Sequence, residues 1–293
     1  MVKILVCYYQ PWEIIHNDLF FPIQAGKAVS GFNLEIQGDD IGDNISAKNA
    51  TFGEFTAWYW AWKNIKSIYP NIEYIGLAHY RRFLSLDNAK SKNGIINTTL
   101  IPLMFNYEKL SIDILNKNDI ILAEQDYFSC NIREQYSYCH NSLDYLLLQD
   151  VMHEIYPEYF ESFLHVFEKQ HKISLYCLFI SKFELFDNYF KWLFPLLFKL
   201  EHKIDVSNYP GYQKRVLAFL SERLLNVYVY HHKLQIKYSP IYYICKNNIE
   251  FEERTQNPKN EQNIIAKIVK KTIKMFIPFG IIKFIKYIKK RKK

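Results

Sequence analysis

Residues 72–82 read Ile72-Glu73-Tyr74-Ile75-Gly76-Leu77-Ala78-His79-Tyr80-Arg81-Arg82, a mostly apolar run that ends abruptly in four polar side chains. A short apolar run of this kind reads as a strand buried on both faces, the habit of parallel sheets. Just upstream, Phe52 to Ile68 carries Phe55, Tyr59 and Trp62 on one helical stripe. Further back, Lys3 to Tyr9 repeats the buried-strand pattern around Ile4, Leu5 and Val6. Together the three segments predict a β, helix, β unit with a charged loop at the carboxyl end of its second strand.

The alternation continues downstream. Leu110 to Asn116 reads as a short helix and Asp119 to Ala123 as a third buried strand. Asn141 to Lys169 is helical with a break at Tyr156 and Pro157, and Leu175 to Ile180 is strand-like. Phe186, Tyr189, Phe190, Leu193, Leu197 and Leu200 set a helical stripe kinked at Pro195, and Gln213 to Tyr228 is a further helix. The expected class is α/β, a mainly parallel sheet flanked by helices, filling residues 1–250. Polar residues 251–263 read as a linker, and 264–293 as a separate arm.

That arm decides how the charge is read. The chain has 37 basic and 30 acidic residues, a net +7, yet eleven of the basic ones fall in 264–293, where there is no carboxylate. The body before it, with 26 against 30, is mildly acidic. In the arm Ile264, Ile265, Ile268, Val269, Ile273, Phe276 and Ile277 recur at helical spacing opposite Lys267, Lys270, Lys271 and Lys274. Pro278 and Gly280 interrupt the pattern before a second such stretch, so neither half supplies the roughly 20 apolar residues of a bilayer span. Helices lying in an anionic membrane surface fit this pattern; a helix docked on the protein's own core with a solvated lysine face is the alternative. Nucleic acid is disfavoured, because stacking aromatics are sparse in the arm and the acidic body repels phosphate.

At 293 residues and 49% hydrophobic the chain is globular. No GxGxxG or GxxxxGK[ST] occurs among its nine glycines, so any phosphate must be held by side chains. Five scattered cysteines without CxxC spacing indicate neither a disulfide framework nor a zinc site. The N-terminal apolar run is too short and wrongly flanked for a signal peptide, which places the chain in the cytoplasm as an expectation.

Ligands of an open α/β sheet sit beyond the carboxyl ends of its strands. That rule picks out Tyr8, Tyr9 and Gln10; His79, Tyr80, Arg81 and Arg82; Glu124 and Gln125; and Ser181 and Lys182. Two guanidiniums at a strand end, Arg81 and Arg82, can chelate a diphosphate without a metal, unless they serve a surface ion-pair network. The loop Gly38 to Asn49 offers Asp39, Asp40, Asp43, Asn44, Ser46, Lys48 and Asn49 for a ribose and base or, through its aspartates, for a divalent cation such as Mn²⁺ or Mg²⁺. As a run rich in Gly, Asp and Asn it also reads simply as a turn. His140 and Asp144 are minor candidates. Tyr212, Arg215, Glu222 and Arg223 place carboxylate and guanidinium groups on one late helix, with an internal salt bridge as the plain alternative.

The runs Gly38-Asp-Asp-Ile-Gly-Asp-Asn-Ile-Ser46, Lys48-Asn49, Glu54-Phe-Thr-Ala-Trp-Tyr-Trp-Ala-Trp-Lys63, Tyr74-Ile-Gly-Leu-Ala-His-Tyr-Arg-Arg82 and Arg215 to Asn226 resemble, in consistent order from Lys3 to Tyr243, a family of unknown-function domains from bacterial capsule, exopolysaccharide and O-antigen gene clusters. Cys177-Leu178 departs from the Asn-Met expected there. The resemblance implies a fold similar to GT-A glycosyltransferases, in which the strand ending near residue 78 normally delivers an Asp-x-Asp to a metal and the sugar diphosphate. Here His79-Tyr-Arg-Arg82 stands in that place, so arginine charge replaces the metal, with His79 as a ligand if a metal is kept. The implied activity is transfer of a sugar from a nucleotide donor, a UDP-hexose or UDP-galactofuranose, to a lipid-diphosphate-linked saccharide at the inner face of the cell membrane. Tyr8, Tyr9, Asp43, Asn44, Ser46, Lys48, Asn49, His79, Arg81, Arg82 and Arg215 would bind the nucleotide-sugar, with Glu222, and Glu124 behind it, as the catalytic base. A non-catalytic, membrane-associated scaffold of a polysaccharide assembly complex is the rival reading.

Overall fold

The structure is a computed structural model that describes residues 1–87, 89–99 and 106–256. In chain order the strands are β1 (Val2–Tyr8), β2 (Phe20–Gln24), β3 (Gln37–Gly38), β4 (Tyr74–His79), β5 (Arg82–Leu84), β6 (Ile95–Thr98), β7 (Ile120–Ala123), β8 (Asp126–Tyr127), β9 (Lys172–Ile173), β10 (Phe179–Lys182), β11 (Ile236–Ser239) and β12 (Ile241–Ile244). The α-helices are α1 (Asn49–Phe52), α2 (Phe55–Ile68), α3 (Tyr107–Leu115), α4 (Ile132–Cys139), α5 (Ser142–Ile155), α6 (Phe160–Leu164), α7 (Phe183–Lys203), α8 (Val216–His231) and α9 (Asn248–Gln256).

The predicted β, helix, β unit is β1, α2 and β4. β1 is buried at every position and pairs in parallel with β4 on one side and β2 on the other. Its side chains alternate between two cores: Leu5 and Cys7 join the aromatic core under α2, α7 and α8, and Ile4, Val6 and Tyr8 join the core on the other face. A strand packed on both faces has no room for polar alternation, which is why the apolar runs mark the centre of the sheet. The expected helix from Phe52 is broken at Gly53, whose φ of 54° and ψ of −133° no helix contains.

The main path of the sheet runs β11-β7-β10-β4-β1-β2-β3, with β5, β6 and β12 attached as a lobe beside β4. It is mostly parallel, but β10 is antiparallel to both β4 and β7. This corrects the reading of the strand near 175–180: it starts at Phe179, runs the other way, and leads straight into α7. Ser181 and Lys182 therefore pair with Ile75 and Tyr74 at the amino-terminal edge of the sheet, opposite the end where they were expected to serve a ligand. Tyr176 and Cys177, just before the strand, take their place at the carboxyl rim. The stretch read as a linker begins inside α9, and its remainder, with the basic arm at 264–293, lies outside the described residues.

Candidate functional site

At the carboxyl rim, β4 ends in His79 beside the turn that starts β10. His79 is buried, lies edge-on to Trp58 at 6.0 Å, and places Nε2 2.8 Å from the carbonyl oxygen of Tyr176. A carbonyl only accepts, so Nε2 carries the proton. Burial lowers the imidazole pKa more than the Glu54 carboxylate raises it, so the neutral ring is a donor to backbone. The turn it holds is strained, with Tyr176 at φ 68° and Cys177 at φ 50°, a region that L residues enter at a cost of about 1–3 kcal/mol each. Other elements fix the same turn: Asn226 accepts from the Ser174 amide at 3.0 Å and donates to its carbonyl at 2.9 Å, and the Ser174 hydroxyl donates to Ala123 at 2.7 Å.

The two arginines after β4 have different fates. Arg81 donates from Nε to the Ile244 carbonyl at 2.8 Å and from Nη2 to Glu250 Oε1 at 2.5 Å, and its guanidinium sits 4.8 Å from the Trp12 ring and 4.6 Å from that of Tyr243. It joins α9 to the sheet and is an ion-pair residue. Arg82 lies 4.7 Å from the Tyr176 ring and 5.3 Å from Tyr243, and among the described residues no carboxylate reaches ion-pair distance from it. Two aromatic faces hold this cation without neutralising it.

Two carboxylates belong to the same cluster. Glu54 accepts from Arg215 Nη2 at 2.6 Å. Gly53 makes that contact possible: its φ of 54° suits glycine, and a Cβ there would come within 2.9 Å of the same Nη2. Glu222, its side chain 18% exposed, lies 3.0 Å from Arg223 Nη1. Burial raises the Glu222 pKa; Arg223 opposes this, Glu54 adds to it, and Arg215 and Arg82 pull it down. The buried Cys177 thiol is pushed up by burial and by both Glu54 and Glu222. Arg223 itself is a core residue, bonded to Phe219 at 2.7 Å and Gln135 at 3.0 Å.

The Gly38 to Asn49 loop folds on itself. Asp39 accepts from the Gly26 and Lys27 amides at 2.8 and 3.0 Å and from the Ser46 hydroxyl at 2.5 Å, tying the loop to the end of β2. Asp43 accepts from Tyr59 at 3.0 Å, Asn44 donates to Gly42 at 2.8 Å, Lys48 pairs with Glu201 at 2.6 Å, and Asn49 donates to the Gly53 carbonyl at 2.7 Å. These side chains are spent on the loop and its supports. Tyr8 is likewise structural: buried, with its pKa pushed up to about 12 by burial, it takes the Ile15 amide at 3.2 Å. Glu124 lies against the Gly94 turn, and no ion pair joins it to the arginines. His140 stacks on Phe219 at 4.1 Å with its pKa lowered to about 3, chiefly by burial, while Asp144 takes the Tyr209 hydroxyl at 2.5 Å; both brace helices.

Of the side chains considered for a divalent cation, Asp39, Asp43 and His79 have the partners just given and Asp40 Oδ1 is buried without one; among the described residues no three His, Cys, Asp or Glu side chains gather as a ligand set. Two cavities of about 420 and 450 Å³ open at the amino-terminal edge, sharing Lys182 and Glu184, away from the rim cluster. Of the expected residues, the rim unites His79, Arg82, Arg215 and Glu222. Glu54, Tyr176, Cys177 and Tyr243 join them unpredicted: Glu54 lay inside a quoted motif without any spacing to mark it, and Tyr176 and Cys177 were hidden by the assumed strand direction.

Residues 3–233 match the family model of DUF4422, a domain of unknown function. An apo structure described as the bifunctional glycosyltransferase WbbM is similar over 83% of this chain, with a TM-score of 0.75 and 28% identity. The match takes in 45% of that protein, so this chain spans less than half of its length. No curated protein matches the sequence.

Proposed function

The chain belongs to the DUF4422 family, and from that premise we propose that it is a glycosyltransferase using a nucleotide-diphosphate sugar. The observation that carries this is Arg82, an unneutralised guanidinium held between Tyr176 and Tyr243 at the strand end, with a carboxylate of raised pKa, Glu222, in the same cluster. A fixed cation with no carboxylate at ion-pair distance suits the diphosphate of a leaving nucleotide. In the proposed displacement the acceptor hydroxyl oxygen bonds to the anomeric carbon, the bond from that carbon to the diphosphate breaks, and the hydroxyl proton passes to Glu222. The similarity to a glycosyltransferase supports the same chemistry.

The finer reading is a UDP-hexose donor, UDP-galactofuranose among the options, and a lipid-diphosphate-linked saccharide acceptor in capsule, exopolysaccharide or O-antigen synthesis. The donor is tested by thermal unfolding against a panel of nucleotide-sugars with and without EDTA. A ligand at about a hundred times its Kd adds roughly 2.7 kcal/mol, and we expect a UDP-sugar to do so with EDTA present. Stabilisation by none of them would sink the transferase reading, and stabilisation abolished by EDTA and restored by Mn²⁺ or Mg²⁺ would sink the metal-free one.

No helix among the described residues is long and apolar enough to cross a membrane. The basic residues of 264–293 support a peripheral place on the anionic inner face of the cell membrane, at about 1 kcal/mol for each Lys or Arg near the surface. Deleting 264–293 should abolish co-sedimentation with anionic vesicles at low salt. Equal sedimentation of the truncated and full chains would remove the anchor.

A further inference from the structure

Two exposed tyrosines from unrelated elements belong to the same rim. Tyr9 follows β1 and is 46% exposed; Tyr212 lies on the short helix Gly211–Arg215 and is 66% exposed. Tyr212 stands three residues before Arg215 on one 3-10 turn, where such side chains eclipse, and Tyr9 leaves β1 beside the end of β2, which Asn49 and Gly53 link to the Arg215–Glu54 ion pair. Each is propped from behind. Tyr212 packs on Phe219 at 5.1 Å, and Tyr9 stands edge-on to Tyr80 at 5.2 Å while its hydroxyl accepts from Tyr80 at 3.2 Å. Neither ring belongs to a core, and a braced aromatic face left to solvent loses little freedom on binding a ligand.

We propose that Tyr9 and Tyr212 wall a subsite for a saccharide ring, with the Arg215–Glu54 pair as its polar floor; under the transferase reading above, on which this role rests, the ring is the acceptor. Charge selects the ligand class. Beside Tyr212 the charges close on themselves, Arg215 on Glu54 and Glu222 on Arg223, which leaves no unpaired cation for a phosphate and suits a neutral, hydroxylated ligand. Arg82, by contrast, has no carboxylate at ion-pair distance among the described residues. Apolar C–H faces of a sugar lie on aromatic rings, and neighbouring hydroxyls match a guanidinium donor beside a carboxylate acceptor. Glu222 then stands where a hydroxyl of the bound ring can lose its proton.

The test is saturation-transfer NMR of the full chain with a panel of methyl hexopyranosides, with and without UDP. At least one glycoside should receive saturation on its ring protons. Tyr212→Ala and Tyr9→Ala should each lower that saccharide's affinity roughly threefold to tenfold, the size of one aromatic contact, while Tyr212→Phe keeps it. Arg82→Ala should weaken UDP and leave the glycoside signal in place. A glycoside signal untouched by both alanine variants, or none at all in a protein that binds UDP, overturns the subsite. Failure of UDP binding with a Tyr212-dependent glycoside signal would instead overturn the transferase reading and leave the subsite standing.

Discussion

Glu222→Gln is expected to lower the rate of sugar transfer by about 10²–10⁴-fold, the usual contribution of a positioned base, while nucleotide-diphosphate binding is retained. The amide keeps the size of the side chain and an oxygen for Arg223, 3.0 Å away in the parent, so the loss falls on the proton transfer. The pH profile carries the sign. A base works ionised, and burial, opposed by Arg223 and reinforced by Glu54, raises the Glu222 pKa above that of an ordinary glutamate. Activity should therefore fall as pH drops through that raised pKa, an acid limb displaced toward neutrality. Initial rates from pH 4 to 9 for both proteins decide the matter. An acid limb that persists unchanged in the Gln variant, or a rate within threefold of the parent, removes Glu222 as the base.

The centre of the fold was legible because burial on both faces leaves a plain mark: Ile4, Leu5 and Val6, or Ile75, Leu77 and Ala78, cannot alternate with polar residues. The direction of β10 left none, since an apolar run looks the same read either way, and one wrong direction moved Lys182 into the site and Tyr176 out of it. α4 was readable and missed: Asn131 and Glu134 make a capping box, a spacing visible in the sequence. For the candidate site, residue type pointed to loops at the carboxyl rim without saying which side chains have partners there. Asp43 and Lys48 look like ligands in sequence, and the structure pairs them with Tyr59 and Glu201, which only folding brings within reach, while Asn44 and Asn49 bond locally to Gly42 and Gly53. Arg81 and Arg82 are adjacent and chemically alike; strand geometry sends them to opposite sides, one to Glu250 on a helix read as linker.

That division gives the other large effect. Arg82→Ala should weaken binding of UDP by about 1.5–3 kcal/mol, the range for a charge-assisted hydrogen bond, which is about 10- to 150-fold in Kd. Arg82→Lys should recover only part of it, because a lysine does not present a planar fork to two phosphate oxygens. Arg81→Ala should do something else. Its guanidinium holds Ile244 and Glu250, so its loss should lower amide protection across α9 in hydrogen exchange and change UDP affinity far less. Calorimetry of UDP binding to the three variants, beside hydrogen exchange of each, separates the two roles. If Arg81→Ala costs as much UDP affinity as Arg82→Ala with α9 still protected, the guanidiniums act together on the diphosphate and the ion pair with Glu250 opens when the nucleotide binds. If neither variant weakens UDP, this strand end does not hold the diphosphate and the arginine reading fails.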